Sequence, residues 1–223
     1  MHLPKSLVIL ALALGLAGGG VSVDAGPSNA IDQPVTQEAA VSGDPDKPRR
    51  HFRVRDPARL DPADAERIFR DMAGDLADIY GLSGDATAGE YQKWRRYNSS
   101  PYLSVTHGQR YVNNYANQLA GDYGRYEQSG TFPLGAILAK DSVAVTKAGG
   151  VFAGPLFLME KMAPGFNQAT GDWRYTMIMP DGSLFGVTNG ENSERVEYCI
   201  GCHRARESFD HLYFPPRKFR IAP

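Results

Sequence analysis

Both cysteines of the chain stand in Cys199-Ile200-Gly201-Cys202-His203, two thiols separated by two residues with an imidazole directly after the second. Thiols at this spacing reach the two vinyl groups of one haem as thioethers, and the adjoining histidine lies close enough to ligate the iron. The five residues are therefore the signature of c-type haem attachment. Two other chemistries use paired cysteines. A thioredoxin-like dithiol belongs near the start of a helix after an early strand of a βαβ unit, whereas here the pair lies late in the chain. A zinc site needs further ligands, and with no third cysteine these must be distant histidines. The bland alternative, a helix end with a chance disulfide or two free thiols, suits so short a loop poorly. The expected cofactor is covalent haem c, held by Cys199 and Cys202 with His203 as the iron ligand.

Only 20 residues follow His203 and none is Met, so a sixth ligand must come from upstream or be missing. Met159, Met162, Met177 and Met179 lie in apolar, strand-like runs where methionine ordinarily packs in the core. His107 and His211 are conceivable ligands, although exposed or hydrogen-bonded histidine is the commoner case. The expectation is a five-coordinate iron with one accessible face, suited to a small-molecule ligand or substrate and to exchange of electrons with a redox partner protein.

The polypeptide that must position these groups has 223 residues and a formal charge of -1, from 24 basic and 25 acidic side chains. That length supports one sizeable core, and the balanced charge gives no polycationic face for nucleic acid. At the N-terminus Lys5, the apolar run Leu7 to Ala17 and the small residues ending at Val23-Asp24-Ala25 have the layout of a secretory signal peptide over residues 1–25. The apolar run is too short to span a bilayer, which takes ~20 residues. Export to the periplasm as a protein with no stable membrane span is expected, in a compartment where cysteine chemistry is oxidising. Residues 26–56, rich in Pro, Gly, Ser and charge without apolar period, are expected to form a flexible linker, leaving 57–223 as the haem-binding domain.

Within that domain Asp61 and Pro62 open an amphipathic helix carrying Ile68, Met72, Leu76 and Ile79 at helical spacing, closed by Gly81. From Tyr102 the rhythm changes. The runs "PYLSVT", "RYVNNYAN", "FPLGAILAK", "DSVAVTKA", "GPLFLMEKM" and "DWRYTMIM" have strand length and are divided by turn signals such as Gly149-Gly150, Pro164-Gly165 and Asp181-Gly182. "NQLAGDYGRYEQSG" reads as a short helix, and Glu194 to Phe209 as a helical segment bearing the haem motif. The expected class is α+β: a mainly antiparallel sheet with flanking helices and a C-terminal haem-attachment helix.

A mainly β domain ending in Cys-x-x-Cys-His resembles the cytochrome P-460 family and its relative cytochrome c′-beta. The matching stretches are "PYLSVTHGQRYVNNYAN", "FPLGAILAKDS", "GPLFLMEKMAPGFNQATGDWRYTMIMPDG" and "VEYCIGCH", covering about Tyr91 to Phe214. The resemblance implies a periplasmic haem-containing sheet protein, often a homodimer. In P-460 proteins a lysine is covalently attached to the porphyrin edge and the cofactor oxidises hydroxylamine, which would make the chain a haem oxidoreductase. In the c′-beta relatives the crosslink is missing and the haem binds nitric oxide or carbon monoxide. Lys140 falls where the crosslinking lysine is expected, with Lys147 and Lys161 in reserve. An ordinary strand end also carries a solvated lysine at such a position. Glu197 and Glu160 are candidate proton-shuttling carboxylates beside the open iron face, or else simple ion-pair partners of groups such as Arg195 and Lys161. Phe132, Phe157, Trp173 and Tyr175 are candidate walls of an apolar haem environment.

Overall fold

The computed structural model describes residues 37–38 and 47–222. The expected signal peptide, and residues 26–36 and 39–46 of the expected linker, lie outside the described residues. In chain order the described elements are β1 (Gln37–Glu38), β2 (Arg53–Val54), α1 (Pro62–Gly81), α2 (Ala86–Glu90), β3 (Arg95–Arg96), β4 (Tyr102–Ser104) and β5 (Arg110–Ala116). They continue with β6 (Ile137–Val145), β7 (Val151–Ala153), β8 (Leu156–Lys161), β9 (Trp173–Ile178), β10 (Leu184–Val187) and α3 (Glu197–His203).

β1 pairs with β2. The remaining strands form one antiparallel eight-stranded sheet in the order β10-β9-β8-β6-β5-β3, with β4 added on β5 and β7 on β6. The class is α+β, with the Cys-x-x-Cys-His stretch on a helix near the C-terminus. "FPLGAILAK" and "DSVAVTKA", read as two strands, are one: no turn former separates Lys140 from Asp141, so β6 runs unbroken past the junction. β3, β7 and β10 are additions that the sequence pattern did not announce, being only two to four residues long. The stretch expected as a short helix winds as tight 3-10 turns from Gln118 to Gln128, broken at Tyr126, which has a φ of 54°. The C-terminal helical segment is α3 flanked by 3-10 turns at Ser193–Val196 and Arg204–Phe209.

α1 forms where expected because Asp61 caps it, its carboxylate accepting from the Asp64 backbone N–H at 2.8 Å, with Pro62 in the first turn. Its buried stripe is Ala65, Phe69, Leu76 and Tyr80, while Ile68, Met72 and Ile79 are only partly covered. The apolar face is the expected one, turned so that two aromatic rings carry most of the burial.

The sheet separates two apolar clusters. On one face Phe69, Leu76, Tyr80 and Tyr91 from the helical side pack on Tyr111, Ala139, Val143, Leu156, Leu158 and Ile178. On the other face Leu138, Trp173 and Tyr175 pack with Tyr97, Tyr123, Phe132 and Leu212, and with Cys199 and Ile200 of α3. No described helix is long and apolar enough to cross a membrane.

Part of the expected linker is packed structure. Phe52 meets Phe185 edge-to-face with ring centroids 5.8 Å apart. Val54 is buried and donates its N–H to the Gly108 carbonyl at 2.9 Å. Polar composition hides this because the anchoring uses backbone groups and two isolated apolar side chains rather than a periodic face.

Candidate functional site

Strand alternation decides which side chains of the sheet meet. Directly opposed residues share a face: Asn114 opposes Lys140, Lys140 opposes Phe157 and Phe157 opposes Met177, while Leu138 opposes Met159 and Met159 opposes Tyr175. All of these side chains stand on the face away from α1. They line a cavity of about 340 Å³, within the size range of cofactor sites.

α3 closes the cavity. Cys199, Cys202 and His203 sit at i, i+3 and i+4, one face of a helix, and all three line it, as does Tyr198. The two thiols are free rather than joined to each other. His203 Nδ1 lies 2.8 Å from the His211 carbonyl oxygen, which can only accept, so Nδ1 carries the proton and Nε2 is the nitrogen left to bind a metal. Tyr175 and Tyr213 hold the His203 ring from two sides, both edge-to-face, at centroid distances of 5.2 and 5.3 Å.

The carbonyl that orients His203 belongs to a tight turn. Asp210 and His211 are both left-handed, with φ of 51° and 64°, a costly conformation for non-glycine residues that persists only when its surroundings fix it. Here they do. The Asp210 carboxylate takes the Lys161 ammonium at 2.6 Å and the Phe132 N–H at 2.9 Å, and its carbonyl accepts from Trp173 Nε1 at 2.8 Å. The His211 ring rests on Gly171, where a Cβ would collide with it.

Haem suits this arrangement on three counts. One histidine presents Nε2 with its tautomer fixed, two unpaired thiols share its face of the helix, and Leu138, Phe157, Met159 and Met177 give the cavity apolar walls. Burial also opposes the rival dithiol chemistry. It pushes the Cys199 thiol up to about 12, against a partly compensating hydrogen bond from Tyr198, whereas a reactive dithiol needs a thiolate stabilised near neutrality. The sheet is antiparallel throughout, so among the described residues no βαβ unit precedes the motif.

Burial disfavours charge on the lysine and the three histidines that line the cavity. Desolvation lowers Lys140 to about 8, with the nearby Cys202 pulling it back up. It lowers His203 to about 4, opposed by the His211 carbonyl, and His51 to about 3, with Arg110 and Lys140 adding to the effect. His107 falls well below the ordinary imidazole value for the same reason, burial first and Lys140 next.

Several expected site residues stand elsewhere. Glu160 lies one position out of phase with Met159 and Lys161, pairs in register with Arg174 on the opposite face, and forms an ion pair with it. Glu197, in the first turn of α3, is exposed and does not line the cavity. No carboxylate lines the cavity among the described residues. Lys161 is tied to Asp210, and Lys147 is an exposed residue beside Asp56. Of the candidate sixth ligands Met159, Met177 and His107 line the cavity, while Met162, Met179 and His211 do not. Phe157 and Tyr175 are walls; Phe132 and Trp173 do not line the cavity but meet each other at a tilt and hold the Asp210 turn.

Sequence reasoning missed His51, Tyr198 and the basic residues Arg49, Arg50 and Arg53, all of which line the cavity. His51 stood in a polar stretch without periodicity, so nothing local marked it. A family model described as Cytochrome P460 matches residues 89–214. No curated protein matches the chain.

Proposed function

Because the chain belongs to the cytochrome P460 family and is thus a haem cytochrome of that family, we propose that its haem is a c-type group linked to Cys199 and Cys202, with His203 Nε2 on the iron. The carrying observation is the His203–His211 hydrogen bond, which leaves Nε2 of His203 to bind a metal beside two free thiols, at a cavity walled on the sheet side by Leu138, Phe157, Met159 and Met177. Bound there, the haem supplies a redox-active iron with a coordination position for a small molecule.

The protein's own residues supply the rest. The Asp210–His211 turn fixes the imidazole, and its carbonyl, by accepting from Nδ1, raises the basicity of the ligating nitrogen. Phe157, Leu138, Met159 and Met177 exclude water. Lys140 enters from the sheet floor, where burial lowers its ammonium to about 8 and makes the free amine, the nucleophilic form, easier to reach than in water. In this reading the protein is exported to the periplasm, exchanges electrons with a redox partner protein as a monomer or homodimer, and oxidises small nitrogen species such as hydroxylamine.

One observation favours a second reading, a non-enzymatic gas-binding or electron-transfer cytochrome of the c′-beta type: among the described residues no carboxylate lines the cavity to take a proton from the substrate. The two readings part on Lys140. Produced in a host that attaches haem c, the full chain is expected to show a Soret band and a covalent mass increase. Lys140→Ala is expected to move the ferrous band to that of an unmodified haem c and to abolish a porphyrin-linked peptide containing residue 140. A wild-type spectrum identical to that of Lys140→Ala selects the c′-beta reading. A colourless protein at bare peptide mass overturns both.

A further inference from the structure

The cavity has a polar end that the haem-attachment residues do not use. His51 and His107 stack there with centroids 5.1 Å apart and planes inclined by 27°, each meeting the Phe157 ring edge-on at 4.9 and 5.0 Å. The Nδ1 of His51 bonds the Tyr198 hydroxyl at 2.8 Å, and the Nδ1 of His107 bonds the Ser104 hydroxyl at 3.0 Å. With both Nδ1 atoms engaged, Nε2 of each ring is the nitrogen left over. Both residues line the same cavity as His203 and Lys140.

His51 arrives on a segment outside the family-matched residues 89–214, and that segment is built in. Phe52 O accepts from Arg110 at 2.6 Å, Val54 donates to Gly108 O, and β2 pairs with β1. Gly108, at φ 77°, is the seat: a Cβ there would collide with both the Arg110 guanidinium and the Phe52 carbonyl oxygen. The chain is anchored at Phe52 and Val54, one and three residues after His51, and these bonds place its imidazole at the cavity.

We propose that residues 49–54 form a strap closing the cofactor cavity, and that its His51, with His107, is a ligand-recognising pair that hydrogen-bonds a polar N–O or N–H small molecule held there. The inference rests on the haem reading above and assigns the polar contact that a carboxylate does not make. Stacking fixes the planes of the two rings, while Tyr198 and Ser104 fix their rotation. Neutral imidazoles can each donate or accept through Nε2, which suits a ligand such as hydroxylamine that carries both donors and acceptors. An apolar diatomic such as carbon monoxide gains far less from such partners. The discrimination therefore lies in the pair rather than in the iron.

The test uses the haem-loaded full chain without an electron acceptor, measuring Kd for hydroxylamine on the ferric protein and for carbon monoxide on the ferrous protein. His51→Phe, which keeps the stack and removes the nitrogens, is expected to weaken hydroxylamine about tenfold, the worth of one hydrogen bond, with carbon monoxide changed less than about twofold. His51→Gln, which restores a hydrogen-bonding group, is expected to recover part of the loss. His107→Phe is expected to follow His51→Phe. Equal shifts for both ligands, or no shift, would overturn the recognition role while leaving the haem reading intact. So would a low-spin wild-type spectrum that either substitution converts to high-spin, because the imidazole would then be an iron ligand. Absence of haem from the wild-type chain overturns the reading and the inference together.

Discussion

Lys140 and Asp141 are neighbours on β6 whose side chains leave the sheet on opposite faces, and burial drives both toward the neutral form. Lys140 meets the cavity that α3 lines; Asp141 meets the helical side, where its carboxylate accepts from Asn113 N–H at 3.2 Å and from the Tyr91 hydroxyl at 3.3 Å. Those bonds favour the charged form, yet desolvation dominates and raises Asp141 from 3.8 to about 7. Between these values the unfolded chain has released a proton that the folded chain keeps. Stability therefore falls as pH rises from about 4 to about 7 and is level above that, the slope following the excess of protons in the folded state. At about 1.4 kcal/mol per unit the loss is on the order of 4 kcal/mol as an upper bound. Asp141→Asn removes this contribution. Urea unfolding of the holoprotein at intervals from pH 4.5 to 8 is expected to show a shallower decline for the variant, and parallel curves would place the ionisation elsewhere.

At the scale of elements, the site is a meeting of three pieces: the floor of β5, β6, β8 and β9, the helix α3 with the turn after it, and the strap before α1. The first two were legible in sequence. Strand-length runs rich in Val, Tyr, Ile, Leu and Phe between turn signals give the sheet, and the spacing of Cys199, Cys202 and His203 puts them on one face of a helix. The face each strand residue occupies was not legible, because it depends on register. A shift of one residue would send Glu160 into the cavity and Met159 out of it. The strap was invisible for another reason: its anchoring is carried by the Phe52 carbonyl, the Val54 N–H and the absence of a side chain at Gly108, none of which leaves a hydrophobic pattern. Gly108→Ala tests that anchoring. The added methyl has no room and the left-handed backbone disfavours it, so a loss of about 1–3 kcal/mol is expected from strain at such a site. The loss should be local. Trypsin is expected to cut at Arg49, Arg50 or Arg53 in the variant under conditions where the wild-type strap resists, and equal resistance in both proteins would show that the strap is seated without Gly108.

For the molecule as a whole, the sheet divides the stabilising interactions between two faces of unequal completeness. The cluster under α1 is closed by protein alone: Phe69, Leu76, Tyr80, Tyr91, Leu156 and Ile178 find partners without any cofactor, and the Tyr80 hydroxyl donates to Gly154 O at 2.6 Å. The opposite cluster shares its boundary with the cavity, so Leu138, Met159, Tyr175 and Cys199 each have a side turned toward the place a haem would fill. A group that binds the folded state alone stabilises the parts it touches, and local opening reports that unevenness. The haem-free double variant Cys199→Ser/Cys202→Ser is accordingly expected to keep its fold and unfold at lower temperature than the holoprotein. Hydrogen exchange read by mass spectrometry is expected to show α1 and β6 protected alike in both forms. Protection should be lost in the haem-free form at residues 49–54 and from α3 through Leu212. That pattern follows from the geometry, since the turn at Asp210 and His211 is strained and the strap closes over a cavity that then lacks its filling. Uniform loss of protection, α1 included, would mean that the two faces fold as one unit and that the helical side depends on the cofactor too.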